Sequence, residues 1–543
     1  MRAISLIVII SCLTQSIQAK NVNIMDLGAK PDSVTLCTDQ IQKAIDDCSA
    51  SGGGTVTVPT GVFLTGTIFL KDNVILYLEN GAVLLGSTKI GDYKPGSLIR
   101  AFQAQNIGIT GNGAIDGQGH SFWIPTGEKT FGPGERTFAH NRPTPGNLVM
   151  LEGCKNVNIE NVTLRGSESW TLHLLACDEV HVSGIKIRNP LQGPNTDGID
   201  IQACSNVRIS DCDIYTNDDA IVLKNRNPKY YGKVCENITV TNCIITTVCN
   251  GFKIGTESIS DFKNIVFSNS IIKTAKTDDE LAKTVVSFID PANYKYELAP
   301  ISGIALETVD GANLQGVTIT NIVMDGVRTP IFIRLANRGA GEQKVAVPVP
   351  GTLKDVIISN IVAYGASTAS SISAIPGCYV ENVMLHNILI MTKGGGNKEL
   401  AQKVLDEKIK TYPEAKMWGP MPVSGFFIRH VKGLQMSDIT IITDENDMRP
   451  LIKFDDVTDL YINNLQTNDV HKGDCILDFN NVKKANLVNI DFPETIKIPW
   501  LYFKGNETEN IVIRTVDNIR SKSFIKTDEK VNGDAIKNIN GTN

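Results

Sequence analysis

A short pattern, Asn-Val-x-Ile or a close variant of it, recurs along most of this chain of 543 residues. Most successive copies are about 23 to 31 residues apart, and a unit of that length buries its apolar face only by stacking on its neighbours. The repeat therefore predicts an all-β fold, a single-stranded right-handed parallel β-helix. The first residues of the copies are Asn73, Asn106, Asn156, Glu179, Asn206, Asn237, Asn264, Gly316, Asp355, Asn382, Gly433, Asp459, Asn486 and Asn510.

The two ends of the chain depart from the repeat. Residues 1–19 combine Arg2, an apolar run and a small residue at Ala19, which is typical of a secretory signal peptide. We therefore expect a secreted or periplasmic protein; a lipoprotein anchor at Cys12 is the less favoured alternative. The amphipathic string TDQIQKAIDDC, from Thr38 to Cys48, predicts an N-terminal capping helix. The coil is expected over 20–515, followed by a polar tail over 516–543.

Composition excludes several classes of protein. Hydrophobic residues make up 42% of the chain and charged residues 20%, which indicates a folded protein with a large core. A formal net charge of −6 gives no general attraction to nucleic acid, so no nucleic-acid partner is expected. No apolar stretch after the signal peptide is long enough to span a membrane.

The cysteines follow the repeat. Four of them begin the matching strings CKNVNI, CDEVHV, CSNVRI and CENITV, so they occupy one repeated position. We expect mostly free, buried thiols and no zinc site, because no histidines share that spacing. Cys37 with Cys48 is the one disulfide that the spacing favours, and only weakly.

Three aspartates lie where successive short apolar strands begin. When the strands GIDIQ, AIVLK, GFKIG and GIALE are aligned, Asp197, Asp219, Asn250 and Ser302 form one column, and Asp218 stands one residue earlier. Neighbouring parallel strands are about 4.8 Å apart, so Asp197 and Asp219 should be able to share one water. Asp218 should leave the turn at another angle. Paired carboxylates of this kind suggest general acid and base chemistry.

Alternation along the same strands predicts which side chains face a groove. Ile199, Ile201, Ile221, Leu223, Phe252 and Ile254 should point into the coil. The residues between them, and their equivalents in the next two turns, should then line the groove: Asp200, Gln202, Lys224, Lys253, Ala305, Glu307, Phe332 and Arg334.

The string NTDGID, beginning at Asn195, and the string NDDAI, which contains Asp218 and Asp219, resemble the polygalacturonases and their relatives, glycoside hydrolase family 28. DLGAKPD and GGGTVTVPTGVFLTGTIFL are similar to the N-terminal cap of that family. The resemblance implies a pectin lyase-like solenoid that cleaves a pectic polysaccharide with inversion. It implies that Asp218 is the general acid and that Asp197 and Asp219 hold the attacking water. We expect no cofactor, no metal ion and a monomer.

Two family motifs are replaced. Cys249-Asn250-Gly251 stands where Gly-His-Gly is expected, and Ala305-Leu306-Glu307 where Arg-Ile-Lys is expected. Because the family Arg and Lys bind a uronate carboxylate, a rhamnogalacturonan with a neutral sugar beside Glu307 becomes a candidate substrate. The predicted substrate-binding residues are Asn195, Asn250, Lys253, Arg334, Lys224 and Glu307.

Two other functions stay open at this point. A calcium-dependent pectate lyase has the same coil, and three acidic residues are enough to begin a calcium site, although no arginine stands among them to act as base. The other alternative is a carbohydrate-binding β-helix that has lost catalysis, which the two replaced motifs would explain. The intact aspartate trio favours the hydrolase.

Overall fold

The computed structural model describes residues 19–94, 96–126, 130–131, 138–276, 295–296, 298–339, 350–490, 492–515 and 524–540. The predicted signal peptide lies outside these ranges except for Ala19, and so does the candidate anchor Cys12. Among the described residues, no helix has the length and apolar character needed to cross a bilayer.

Parallel strands stack in register in three columns, which we call the first, second and third sheet, and longer strands join them into one 37-stranded sheet among the described residues. This stacking confirms the predicted β-helix. The first sheet, which carries the predicted site, contains Ile68–Phe69, Ser97–Phe102, Asn147–Glu152, Leu172–Leu175, Ile199–Gln202, Ile221–Asn225, Asn250–Ser258, Ser302–Thr308, Thr329–Leu335 and Ser370–Ser373. The second contains Lys20–Asn23, Gly54–Val58, Val74–Leu78, Gln105–Gly111, Lys155–Glu160, Asp178–Ser183, Ser205–Ser210 and Cys235–Thr241. The third contains Asp32–Leu36, Gly61–Thr65, Ala82–Gly86, Ala114–Asp116, Thr163–Arg165, Lys186–Arg188, Asp213–Thr216 and Ile244–Thr247.

Later turns use longer strands that run through more than one sheet. These strands are Phe262–Lys273, Leu314–Asp325, Leu353–Ala366, Val380–Thr392, Phe426–Thr443, Ile452–Thr467 and Leu477–Ile490. The coil continues through Leu501–Lys504, Glu509–Thr515, Ile525–Thr527 and Ile536–Asn540. The last two strands pair in parallel with the two before them, so the described part of the predicted polar tail is a further turn. Its mostly polar sequence hides the repeat.

Few helices accompany the sheets. In the described ranges the α-helices are Thr38–Ala50 and Lys398–Ala401, and the 3₁₀-helices are Ile24–Leu27, Ile90–Asp92, Gly119–Phe122, Pro228–Tyr230 and Gly533–Ala535. The first α-helix buries Ile41, Ala44, Ile45 and Cys48 in the core at the start of the coil, as the sequence predicted. Two small sheets lie outside the coil, one pairing Trp123–Pro125 with Phe138–His140 and the other Thr130–Phe131 with Lys295–Tyr296.

The first residue of nearly every repeat forms a corner of the coil. Asn106, Asn156 and Asn237, for example, have φ of 54°, 53° and 58°, a left-handed conformation that asparagine tolerates well. The Nδ2 of Asn156 donates to Oδ1 of Asn106 at 2.9 Å, and similar bonds join other corners. Asn486 was assigned wrongly: Lys484, two residues earlier in the same strand, has φ of 55° and takes the corner.

The interior of the coil is apolar, as alternation predicted. The six residues predicted to point inward, from Ile199 to Ile254, are fully buried in one continuous core. Stacked rings extend along it, for example Phe252 on Phe267 with centroids 4.6 Å apart. The described cysteines are free thiols, including Cys37 and Cys48, so the disulfide considered for that pair is not formed.

Candidate active site

The predicted column of polar residues exists. The amide of Gly198 donates to the carbonyl oxygen of Asp219 at 2.9 Å, and the amide of Ala220 donates to that of Asn250 at 2.9 Å. Asn250 in turn pairs in register with Ser302. These backbone bonds continue the first sheet and bring Asp197, Asp219 and Asn250 side by side at its edge.

A pocket of about 750 Å³ opens over this edge. Six of the nine predicted site residues line it, namely Asp197, Asp218, Asp219, Asn195, Lys224 and Lys253. The remaining lining residues are His140, Arg142, Asn147, Ser169, Trp170, Asn217, Arg226, Cys249, Glu257, Tyr412, Glu414 and Lys416. The pocket is therefore polar and rich in both signs of charge.

Lys224 is the centre of one charge cluster. Its Nζ donates at 2.7 Å both to Oδ2 of Asp197 and to Oδ1 of Asp200, and it lies 3.9 Å from the centroid of the Trp170 ring. Burial lowers the pKa of Lys224, but the two carboxylates outweigh burial and hold its pKa well above the usual value. Burial and the carboxylates around it raise the pKa of Asp197, and burial raises that of Asp200 to about 7.

Asp219 is held differently. Nζ of Lys253 lies 3.1 Å from its Oδ2, and Nδ2 of Asn250 donates to its Oδ1 at 2.6 Å. Ser302 fixes that amide by donating to Oδ1 of Asn250 at 2.6 Å. Burial acts to raise the pKa of Asp219, but Lys253, Lys224 and the hydrogen bonds outweigh burial and lower it. Asp219 is therefore ionised, while Asp197 and Asp200 compete for the single charge of Lys224.

Asp218 faces the pocket, and no lysine of the described part of the chain forms an ion pair with it. Its Oδ1 accepts from the amide of Asp219 at 2.9 Å, and Nδ2 of Asn195 lies 3.5 Å from its Oδ2. One oxygen each from Asp218 and Asp219 and the Sγ of Cys249 all lie within 4.8 Å of one another. Calcium takes six to eight oxygen ligands, and lysines already neutralise Asp197 and Asp219, so this set does not suit calcium.

Glu307 and Arg334 do not reach the pocket, which corrects their predicted role in binding substrate. Glu307 is 1% exposed and accepts from Oγ1 of Thr256 at 2.8 Å. Arg334 is also 1% exposed, and its guanidinium donates to the carbonyl oxygens of Ala374 and Glu407 at 2.9 and 2.5 Å. Asn250 is likewise absent from the lining and contacts Asp219 instead.

A segment far along the chain explains this burial. Residues 397–425, which we call the covering segment, lie over the groove face of the later turns. Trp418 packs edge-on against Phe332 and Phe427, with ring centroids 6.5 and 6.0 Å apart, and Ala305 lies in the same apolar cluster. Alternation predicted correctly that Ala305 and Phe332 point outward from the coil. Their burial could not be predicted in that way, because it is the covering segment, far along the chain, that packs over them.

The alignment of strands does not reach the residues that complete the pocket. Tyr412, Glu414 and Lys416 come from the covering segment, and His140 and Arg142 from the segment that precedes the strand Asn147–Glu152. No local motif marks them. Trp170 carried a signal, since it begins the string WTLHL one turn before Asp197.

We expect Glu307→Gln to change how stability depends on pH. Burial raises the pKa of Glu307 to about 8, against about 4.3 in an unfolded chain. A raised carboxyl pKa means that the folded state binds the proton more tightly, so wild-type stability falls as pH rises from about 4 to about 8. Glutamine mimics the protonated acid and should remove this loss, on the order of a few kcal/mol at pH 8.

Urea unfolding of both proteins between pH 4 and pH 8.5 measures the difference. The two should be alike near pH 4 and diverge above it, whereas Glu529→Gln, at an exposed position, should follow wild type throughout. Parallel curves for wild type and Glu307→Gln would show that Glu307 is ionised in the folded protein.

Comparison with known proteins finds a family match over the part of the chain that carries this site. Residues 48–281, which contain all three aspartates, match the model of glycosyl hydrolases family 28. A probable polygalacturonase of Vitis vinifera is 32% identical over 250 residues, covering 41% of this chain and 49% of that protein. An exo-poly-alpha-D-galacturonosidase of Dickeya chrysanthemi is 30% identical over 255 residues, covering 37% of this chain and 41% of that protein. The chain thus spans about half the length of these relatives.

The fold has solved counterparts. The crystal structure of a hyperthermoactive exopolygalacturonase from Thermotoga maritima superposes with a TM-score of 0.59, covering 78% of this chain and 92% of that one at 21% identity. At that identity the likeness concerns the fold alone. Over residues 48–281 the chain is similar to glycosyl hydrolases family 28, and its sequence matches in this region are to polygalacturonases.

Proposed function

We propose that the protein hydrolyses glycosidic bonds of a pectic galacturonan with inversion of the anomeric centre. The observation that carries this proposal is the different environment of three neighbouring carboxyl groups. Lys253 and Asn250 hold Asp219 ionised, and Lys224 is shared by Asp197 and Asp200. Among the described residues, no lysine forms an ion pair with Asp218. Glycosidases need one carboxyl group that gives a proton and one that takes it.

In the proposed mechanism Asp218 donates its proton to the leaving glycosidic oxygen. Asp219, kept ionised by Lys253, removes a proton from the attacking water. Asp197 holds that water with Oδ1, a buried oxygen that has no hydrogen-bond partner among the described residues. Each step uses a group that lines the same pocket, and water adds to the side of the sugar opposite the departing oxygen.

Substrate carboxylates then need cations other than the two buried lysines. Lys224 and Lys253 are engaged by Asp197 and Asp219, at 2.7 and 3.1 Å. Arg142 lines the same pocket and is exposed. Arginine matches a carboxylate with two parallel N–H donors, so we assign recognition of a galacturonate carboxylate to Arg142.

The covering segment favours attack at chain ends. It buries the groove face of the turns that follow Lys253, including Ala305 and Phe332, and its Tyr412 and Glu414 form a wall of the pocket. A polysaccharide that enters the pocket therefore finds no open groove beyond these turns. The relative from Dickeya chrysanthemi and the structural counterpart from Thermotoga maritima are both named as exo-acting enzymes.

The alternatives receive less support. A pectate lyase would use the carboxylates to hold calcium, but here lysines neutralise two of them. A binding module has no need for three neighbouring aspartates, buried or half-buried, whose carboxyl groups are held so differently in one pocket. From the sequence of residues 1–19 we also propose that the protein is exported.

Product analysis tests the proposal. Homogalacturonan, rhamnogalacturonan I and their reduced oligosaccharides are incubated with the protein, and products are followed by chromatography and by proton NMR during the first minutes. We expect galacturonate or a single short product from the start, with the anomer opposite to that of the bond cleaved. An unsaturated product that absorbs in the ultraviolet, a retained anomer, or no cleavage of any of these substrates would overturn it.

A further inference from the structure

Four polar side chains form a line from a buried carboxylate to Asp218. His140 Nδ1 contacts Oε1 of Glu168, and its Nε2 lies 3.3 Å from Oδ1 of Asn195. The other end of the same amide, Nδ2, lies 3.5 Å from Oδ2 of Asp218. His140, Asn195 and Asp218 line the pocket, while the Glu168 side chain is 2% exposed behind them.

The line is built from separate parts of the fold. His140 comes from the small sheet outside the coil, where it pairs with Trp123. The indole of Trp123 donates at 3.0 Å to the carbonyl oxygen of Glu168, which holds that residue against the small sheet. Oε2 of Glu168 is buried and has no hydrogen-bond partner among the described residues. A buried carboxylate is costly unless it is paired, and His140 supplies the partner.

A carboxylate on one imidazole nitrogen fixes which nitrogen carries the proton and how the ring is oriented. Glu168 orients the His140 ring through Nδ1, so that Nε2 faces Oδ1 of Asn195. The oxygen of the Asn195 amide is thereby turned toward the ring, and its Nδ2 is turned toward Asp218, where it donates to Oδ2.

We propose that His140, oriented by Glu168, is a positioning residue that sets the Asn195 amide and through it the carboxyl group of Asp218. The proposal rests on the proposed function for the role of Asp218 as acid. The pocket thus has a histidine from outside the coil that is joined to Asp218 through the Asn195 amide, whereas Asn250 stands beside Asp219 where the resemblance to the family leads one to expect a histidine.

Kinetics test the positioning role. His140→Gln should lower kcat on galacturonan oligosaccharides by about 10- to 100-fold, the effect usual for removal of an orienting partner, and leave KM within about twofold. Glu168→Gln should have a smaller effect in the same direction, because the amide oxygen still accepts from Nδ1–H. His120→Gln is the matched control, since His120 is exposed on the segment leading to the same small sheet. An unchanged kcat in folded His140→Gln would overturn the proposal.

A second measurement needs no activity. In protein labelled with ¹⁵N-histidine, the ring signals of His140 are identified by their loss in His140→Gln, and they should shift in Asp218→Asn. Without the Asn195 side chain this effect should be absent: the ring signals of His140 should be the same in Asn195→Ala and in Asn195→Ala combined with Asp218→Asn. If the ring signals of His140 have the same chemical shifts in wild type and in Asp218→Asn, the proposed link is overturned, even if the enzyme is active. If the link is present but wild type cleaves no pectic substrate, the proposed function fails and the link stands.

Discussion

Asp218→Asn is expected to lower kcat on galacturonan by about 10²- to 10⁴-fold, the usual contribution of a general acid. The amide cannot give a proton to the leaving oxygen. It keeps the local structure, because an amide oxygen still accepts the bond that the Asp219 amide now makes to Oδ1 of Asp218 at 2.9 Å. Initial rates of reducing-end release, with a thermal melt of each protein, measure the effect.

The matched control is Asp211→Asn. Asp211 lies at an exposed corner in the same turn, with φ of 59°, and asparagine suits that conformation. Its activity should equal that of wild type. Oligosaccharide binding to Asp218→Asn, measured by calorimetry, should persist. Retention of more than about a tenth of the wild-type kcat would assign the acid role to another group.

Lys224→Met is expected to destabilise the protein by about 3–5 kcal/mol and to remove activity. The substitution keeps side-chain length but leaves Asp197 and Asp200, which are 2% and 0% exposed, without their shared cation. Loss of one partner from a buried ion cluster leaves uncompensated charge in a medium that solvates it poorly. Urea unfolding at pH 7 measures the loss.

The structure offers a rescue and a control for this prediction. Adding Asp200→Asn to Lys224→Met removes one of the two stranded carboxylates and should restore part of the lost stability, a non-additive result. Lys155→Met breaks ion pairs at 3.9 and 3.5 Å with Asp178 and Glu179 at an exposed site, and it should cost less than about 1 kcal/mol. Equal effects of Lys155→Met and Lys224→Met would contradict this account of the cluster.

The fold was predictable because one short-range signal repeats. Each corner needs a residue that tolerates positive φ, and asparagine, aspartate or glycine supplies it at most turns. The Asn-Val-x-Ile pattern misplaced one corner, because Lys484 takes the corner while Asn486, two residues later, matches the pattern. The pattern also gave no sign of the turn after residue 515, where the polar strand Ile536–Asn540 still pairs with Glu509–Thr515.

The part of the site that lies on neighbouring strands of the coil could be predicted from strand register. Asp197, Asp219 and Asn250 come from adjacent strands, so alignment of the strands was enough to bring them together. His140 and Tyr412 could not be found in this way, because they lie on segments outside the coil whose docking depends on tertiary contacts. The same limit explains Arg334: its direction followed from alternation, but its burial follows from the backbone of Glu407.

The covering segment is attached to a different part of the coil from the one that carries the aspartates. It is anchored on the later turns, where Arg334 donates to the carbonyl oxygen of Glu407 and Arg429 donates to that of Leu405 at 2.9 Å. None of these anchors belongs to the strands that hold Asp197 and Asp219. The segment can therefore change without moving those strands, and a change in it would first alter the wall that Tyr412 and Glu414 form over the pocket.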